Sequence, residues 1–169
     1  MIYRILGALL VFGGCGGFGF SMAAACRREE RQIHSFLRAV EFMLCELECH
    51  VTPLPQLLRR AAKIAGGDAA SILHDAAGRM ELGLDADAPA SMEAVLAARR
   101  PGGYLGELFR DLGQTLGCFD LAGQLRGLES ALQRGQQMLR SHQQGRGSRV
   151  RSYQTLGLCA GAALAILFL

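Results

Sequence analysis

The sequence predicts an all-α protein: an antiparallel helical bundle flanked by an N-terminal and a C-terminal hydrophobic membrane segment. Three observations carry this. Two uncharged runs, Ile5 to Cys26 and Ser152 to Leu169, bracket the chain. The residues between them repeat apolar side chains at helical spacing, and no segment sustains the period-two alternation of branched residues that marks a strand. With 169 residues, 50% of them hydrophobic, the chain has room for one modest domain with its own core.

The first run, 22 residues long, would as a helix measure about 33 Å, enough for a hydrocarbon core of about 30 Å. The second, 18 residues, would reach about 27 Å; Tyr153 and a snorkelling Arg151 then hold its start at the interface. Arg4 and "MAAAC" at 22 to 26 also fit a cleaved leader, or lipidation of Cys26. The run is longer than the usual signal core of about 7–15 residues and leads straight into "RREER", so a retained anchor is expected. Gly13 with Gly17, and Gly157 with Gly161, have the four-residue spacing that lets membrane helices approach closely, and they are candidate packing positions; merely tolerated glycine is the alternative. Arg27, Arg28 and Arg31 follow the first run and Arg146, Arg149 and Arg151 precede the second, whereas only Arg4 lies outside. Positive flanks stay in the cytoplasm. The chain therefore divides into an anchor at 1–26, a cytoplasmic helical domain at 27–151 and a membrane segment at 152–169, in a cell membrane. Cys45, Cys49 and Cys118 form no disulfide framework, which suits a reducing compartment.

In the domain, Ile33, Phe36, Leu37, Val40, Leu44 and Leu47 share one helical face, and His34, Arg38, Glu41 and Glu48 take the other. This helix stops at "HVTPLP". Thr52 is placed to cap a helix beginning at Pro53, and Leu54 before Pro55 offers a second starting frame. That helix runs to about Ala65. "GGD" at 66 to 68 ends it and caps a third, with Ile72, Leu73, Ala76 and Met80 inward. A loop at 84–88 precedes a helix over Pro89 to Arg99, "RPGG" breaks it, and the next begins near Tyr104. The last long helix carries Leu121, Leu125, Leu128, Leu132 and Leu139 in a heptad stripe that Gly135 interrupts. The stripe either closes the domain's own bundle or forms an intermolecular coiled coil, making a homo-oligomer.

The stretch "LGQTLGCFDLAGQ", 112 to 124, raises the question of a phosphate loop. Such loops lie between a strand and a helix and are followed by Lys. Here the glycines lie between two helical patterns, no Lys follows, and Asp120 would repel a phosphate. Gly117 reads as a helix C-terminal residue and Asp120 as the next N-cap, so the stretch is a joint. Cys45, Cys49 and His50 face the requirement of a fourth ligand for structural zinc, and His34 and His74 lack motif spacing; buried or half-buried thiols are expected, with a thiol or zinc protein as the alternative. No G-x-S-x-G or other catalytic signature appears, so neither enzyme nor cofactor is expected. Of the 18 Lys and Arg, only Arg4 lies outside 27–151, leaving 17 to face all 15 acids. The excess gathers near the membrane, which favours lipid headgroups over nucleic acid.

With its glycine-rich anchor, "HVTPLPQLL", "LGQTLGCFDLAGQ" and the ending "RSYQTLGLCAGAALAILFL", the chain resembles the stage III sporulation protein AB family over its full length. The most specific positions are Thr52, Pro53, Leu54 and Pro55, then Leu112, Gly113, Thr115, Leu116, Gly117, Asp120 and Gln124; Cys118 and Phe119 depart from the small polar residues expected there. The resemblance implies a non-enzymatic membrane component of a secretion-like channel between mother cell and forespore, placed in the mother-cell membrane. It also implies a distant similarity to the F component of type II secretion, and contacts with other stage III channel proteins, above all the companion ATPase. A membrane-tethered adaptor with no secretion role is the rival expectation.

Overall fold

The computed structural model describes residues 2–50, 52–117 and 120–143, with side chains from residue 27 onward and at Ala24. All regular structure among them is helical. The elements are α1 (Ile2–Cys49), α2 (Leu54–Ala65), α3 (Gly67–Glu81), α4 (Ala88–Arg99), α5 (Tyr104–Thr115) and α6 (121–143). One compact unit is Glu29–Leu139. Of the other, residues 1–28 with 140–169, the helical backbones of 2–28 and 140–143 are described. Among the described residues no helix is long and apolar enough to cross a membrane. The side chains of the first uncharged run, including Gly13 and Gly17, and the whole second run with Gly157 and Gly161, lie outside the described residues.

α1 has 48 residues, about 72 Å of uninterrupted helix. It has no proline to remove a backbone donor or to clash with the preceding turn. Beyond it, α2 starts between the two expected frames: Pro53, with φ −56° and ψ 138°, is the N-cap, Leu54 is the first helical residue, and Pro55 lies in the first turn, where its missing N–H costs nothing. Thr52 is not the cap. Its hydroxyl instead turns back to α1 and donates to Glu46 Oε1 at 3.0 Å, six residues earlier in the chain.

The remaining boundaries follow local chemistry. Gly66 at φ +76° joins α2 to α3 without a linker. Asp87 caps α4 by accepting from the Ala90 N–H at 2.8 Å, and Asp120 does the same for α6 with the Gly123 N–H at 3.0 Å. α4 ends with Arg100 in the left-handed region at φ 45°, its N–H returning to Leu96 O.

The core of Glu29–Leu139 lies along the inner face of α1, where Ile33, Phe36, Leu37, Val40, Met43 and Leu47 are buried. Leu57 and Leu58, Ile72 and Leu73, Met92 and Val95, and Leu105, Leu108 and Phe109 complete it from α2 to α5. Phe36 and Phe109 meet edge to face, ring centroids 5.1 Å apart at 88°, an arrangement suited to their quadrupoles. α6 closes this bundle through Leu128 and Ala131, with Leu125, Leu132 and Leu139 partly buried and Leu121 left 44% exposed. Gly135 does not interrupt its stripe. It is buried on the same face, and a Cβ there would stand 2.7 Å from Leu37 Cδ2, so the missing side chain is what lets α6 approach α1.

Each helix is also tied to its sequence neighbour by an arginine–carboxylate pair: Arg60 with Glu46, Arg59 with Glu81, Arg99 with Asp75 (2.5 Å), Arg110 with Glu93 (3.0 Å) and Arg134 with Asp111 (3.1 Å). Most of these side chains are solvent-facing. Exposed pairs of this kind contribute little, and together they bear more on which faces meet than on stability.

Candidate interaction site

The two stretches that carry the resemblance come together. Leu54 opens α2, and its Cδ2 lies 3.6 Å from where a Cβ on Gly117 would stand; Ala88 Cβ, at the start of α4, lies 3.2 Å from the same point. Gly117 has φ +79°, a region that L side chains rarely adopt, so glycine there turns the chain off α5 in the space left between α2 and α4. Leu116 is the C-cap, and Gly117 directly after it is the left-handed glycine that ends α5, as the sequence suggests. Leu112 and Leu116 are buried, and the Thr115 hydroxyl donates to Leu112 O at 2.8 Å. A Cβ on Gly113 would be 2.8 Å from Met92 Cβ, so the missing side chain lets α5 come close to α4 here. The Gln124 N–H donates to Asp120 O in the first turn of α6. Pro53 is exposed, Pro55 half-buried, and Cys118 and Phe119 lie outside the described residues. These positions shape one end of the bundle, and their side chains present no reactive set. The α3–α4 connection that leads into Ala88 exposes Leu82 (74%) and Leu84 (59%).

Cys45 and Cys49 are exposed free thiols, which corrects the expectation of buried or half-buried ones. Spacing explains it: both share the outer face of α1 with His34, Arg38, Glu41 and Glu48. The neighbouring Cys45 holds the Cys49 thiol above the ordinary range, and Glu48 and Glu46 add to the shift. His34, His50 and His74 are exposed, and among the described residues no group of three or more His, Cys, Asp or Glu is placed to hold a metal.

A second feature escaped the sequence reading. α2 and α3 leave a groove of about 450 Å³ whose walls carry Arg59, Arg60 and Lys63 on one side and His74 on the other, with Arg99 at the end of α4. Ala62 and Ala70 also line it. Asp75 in the groove is engaged by Arg99, and Glu81 at its edge accepts from Arg59 Nε at 2.7 Å, which holds that carboxyl below the usual range, with His74 adding to the effect. The visible signal was "RRAAK", three cations within one turn and a half of α2. Its partners on α3 and α4 are joined to it only by folding.

Comparison with known families gives a match to Stage III sporulation protein AB over residues 4–169. Among solved structures the fold is similar to one described as Stage III sporulation protein AB (SpoIIIAB), with a TM-score of 0.60 and 21% identity, covering 69% of this chain and 94% of that one. Comparison with curated proteins gives no match.

Proposed function

We infer a role from a membership: the chain belongs to the stage III sporulation protein AB family. We propose that it is a membrane-anchored structural component of a sporulation-specific, secretion-like complex between mother cell and forespore, linking the companion ATPase to the membrane channel. The observation that carries this is α1. It is one unbroken helix whose first half is uncharged from Ile5 to Cys26 and whose second half supplies Ile33, Phe36, Leu37 and Val40 to the core. A helix of that composition suits a segment that passes from lipid into a folded domain, and Arg27, Arg28 and Arg31 suit a cytoplasmic flank. The positions that carry the resemblance act on packing, which fits a part that assembles with others.

Two measurements test the reading. In membranes from sporulating cells the chain is expected to resist alkaline carbonate extraction, and Cys45 and Cys49 to react with a membrane-impermeant maleimide only after permeabilisation. Full-length chain in nanodiscs is expected to give saturable heat when titrated with the purified companion ATPase. Extraction by carbonate would remove the anchor, and absence of heat with both proteins folded would remove the ATPase link.

A further inference from the structure

We propose that the groove between α2 and α3 is a docking cleft for an acidic helix of a partner protein; this rests on reading the chain as an assembly component. The cations come from two helices, Arg59, Arg60 and Lys63 from α2 and Arg99 from α4, with the His74 imidazole of α3 beside them. Lys63 takes part in no ion pair among the described residues. Arg60 gives only Nη1 to Glu46, so the rest of its fork of five donors is open to a second carboxylate. Arg59 and Lys63 stand four apart on α2, about 6 Å between their β-carbons, which is the spacing of carboxylates at i and i+4 on a facing helix. Between them Ala62 is buried and Ala70 half-buried, and so small a floor lets another backbone come close. The Arg59–Glu81 and Arg99–Asp75 pairs are solvent-facing and weak, so an incoming carboxylate can share those arginines at little loss, and Arg60, whose partner Glu46 is more enclosed, shares through its open donors.

The test uses full-length chain in phosphatidylcholine nanodiscs and a fluorescein-labelled, alanine-based helical peptide with Glu repeated at i and i+4, read by anisotropy. Saturable binding is expected, weakened by added salt and about tenfold or more by Lys63→Glu, an exposed substitution that leaves the core untouched. Arg126→Glu, exposed on α6 outside the groove, is expected to leave binding unchanged. The proposal is overturned by no saturable binding, or by equal loss in Arg126→Glu and Lys63→Glu. It is overturned too if phosphatidylglycerol vesicles displace the peptide and phosphatidylcholine vesicles do not, which would make the groove a headgroup site. These outcomes concern the groove alone. Failure of the assembly reading would appear in carbonate extraction and in the ATPase titration.

Discussion

Leu54 rests against Gly117: its Cδ2 is 3.6 Å from the position a β-carbon on that glycine would occupy. The turn after α5 is thereby packed on the start of α2, and the glycine meets two requirements at once, a φ of +79° and a tight gap in which a methyl group would stand 3.2 Å from Ala88 Cβ.

Gly117→Ala is therefore expected to destabilise the domain by about 1–2 kcal/mol, most of it from the left-handed backbone. Gly117→Asn, which tolerates that region better, should lose less backbone energy despite its larger side chain. Urea unfolding of both variants checks this, and an Ala variant as stable as the wild type would contradict it.

Gly113→Ala places its methyl 2.8 Å from Met92 Cβ, an atom fixed to the backbone of α4. The helices must separate, at about 1–3 kcal/mol. Adding Met92→Ala removes only the outer side chain, since Cβ stays. The double variant should therefore recover the part due to Met92 Cγ at 2.9 Å and no more, a partial rescue readable in a double-mutant cycle.

Phe36→Ala removes a fully buried ring and its edge-to-face partner Phe109, an expected loss of about 3–5 kcal/mol. The cycle with Phe109→Ala should show coupling of about 0.5–1.5 kcal/mol beyond burial. Additive losses would mean that the rings share a core without interacting.

Arg79 donates to Asp85 through Nε at 2.7 Å and Nη2 at 2.9 Å, and these bonds hold the Asp85 carboxyl below the usual range. A depressed carboxyl contributes stability that is fully present above its unfolded pKa of about 4 and is lost as pH falls through the lower folded value. Asp85→Asn should accordingly be less stable than the wild type near neutrality, with the gap closing in acid. Urea midpoints at about pH 7 and about pH 3 decide it, and a gap that widens in acid would refute the assignment.

Much of this architecture was legible because proline and glycine punctuate it. "TPLP", "GG" and "RPGG" stand where α1, α2 and α4 give way to their successors, and the inner stripe of α1 from Ile33 to Leu47 is visible as a period. The starting frame of α2 was not decidable from Thr52 and the prolines alone, because the Thr52 hydroxyl has a competing acceptor in Glu46, six residues back on α1, and takes it in place of an N–H of α2. Gly135 looked like a break because a missing side chain has no periodicity; its meaning lies in Leu37, on a helix far away in sequence. Cys45 and Cys49 were a different matter, since the wheel that placed Glu41 and Glu48 outward places them there too.

The arginine pairs that tie every helix to the next, together with the α6 contact on Leu37, impose an order in time. Packing of α2 on α1, α3 on α2, α4 on α3 and α5 on α4 closes only short loops, so these hairpins can form one after another while the chain is still being synthesised. The contact of Gly135 with Leu37 spans nearly the whole domain and must wait for the ribosome to deliver α6. Until then, part of the inner face of α1 around Phe36 and Leu37 lacks its cover, and the nascent chain presents that apolar surface to whatever it meets.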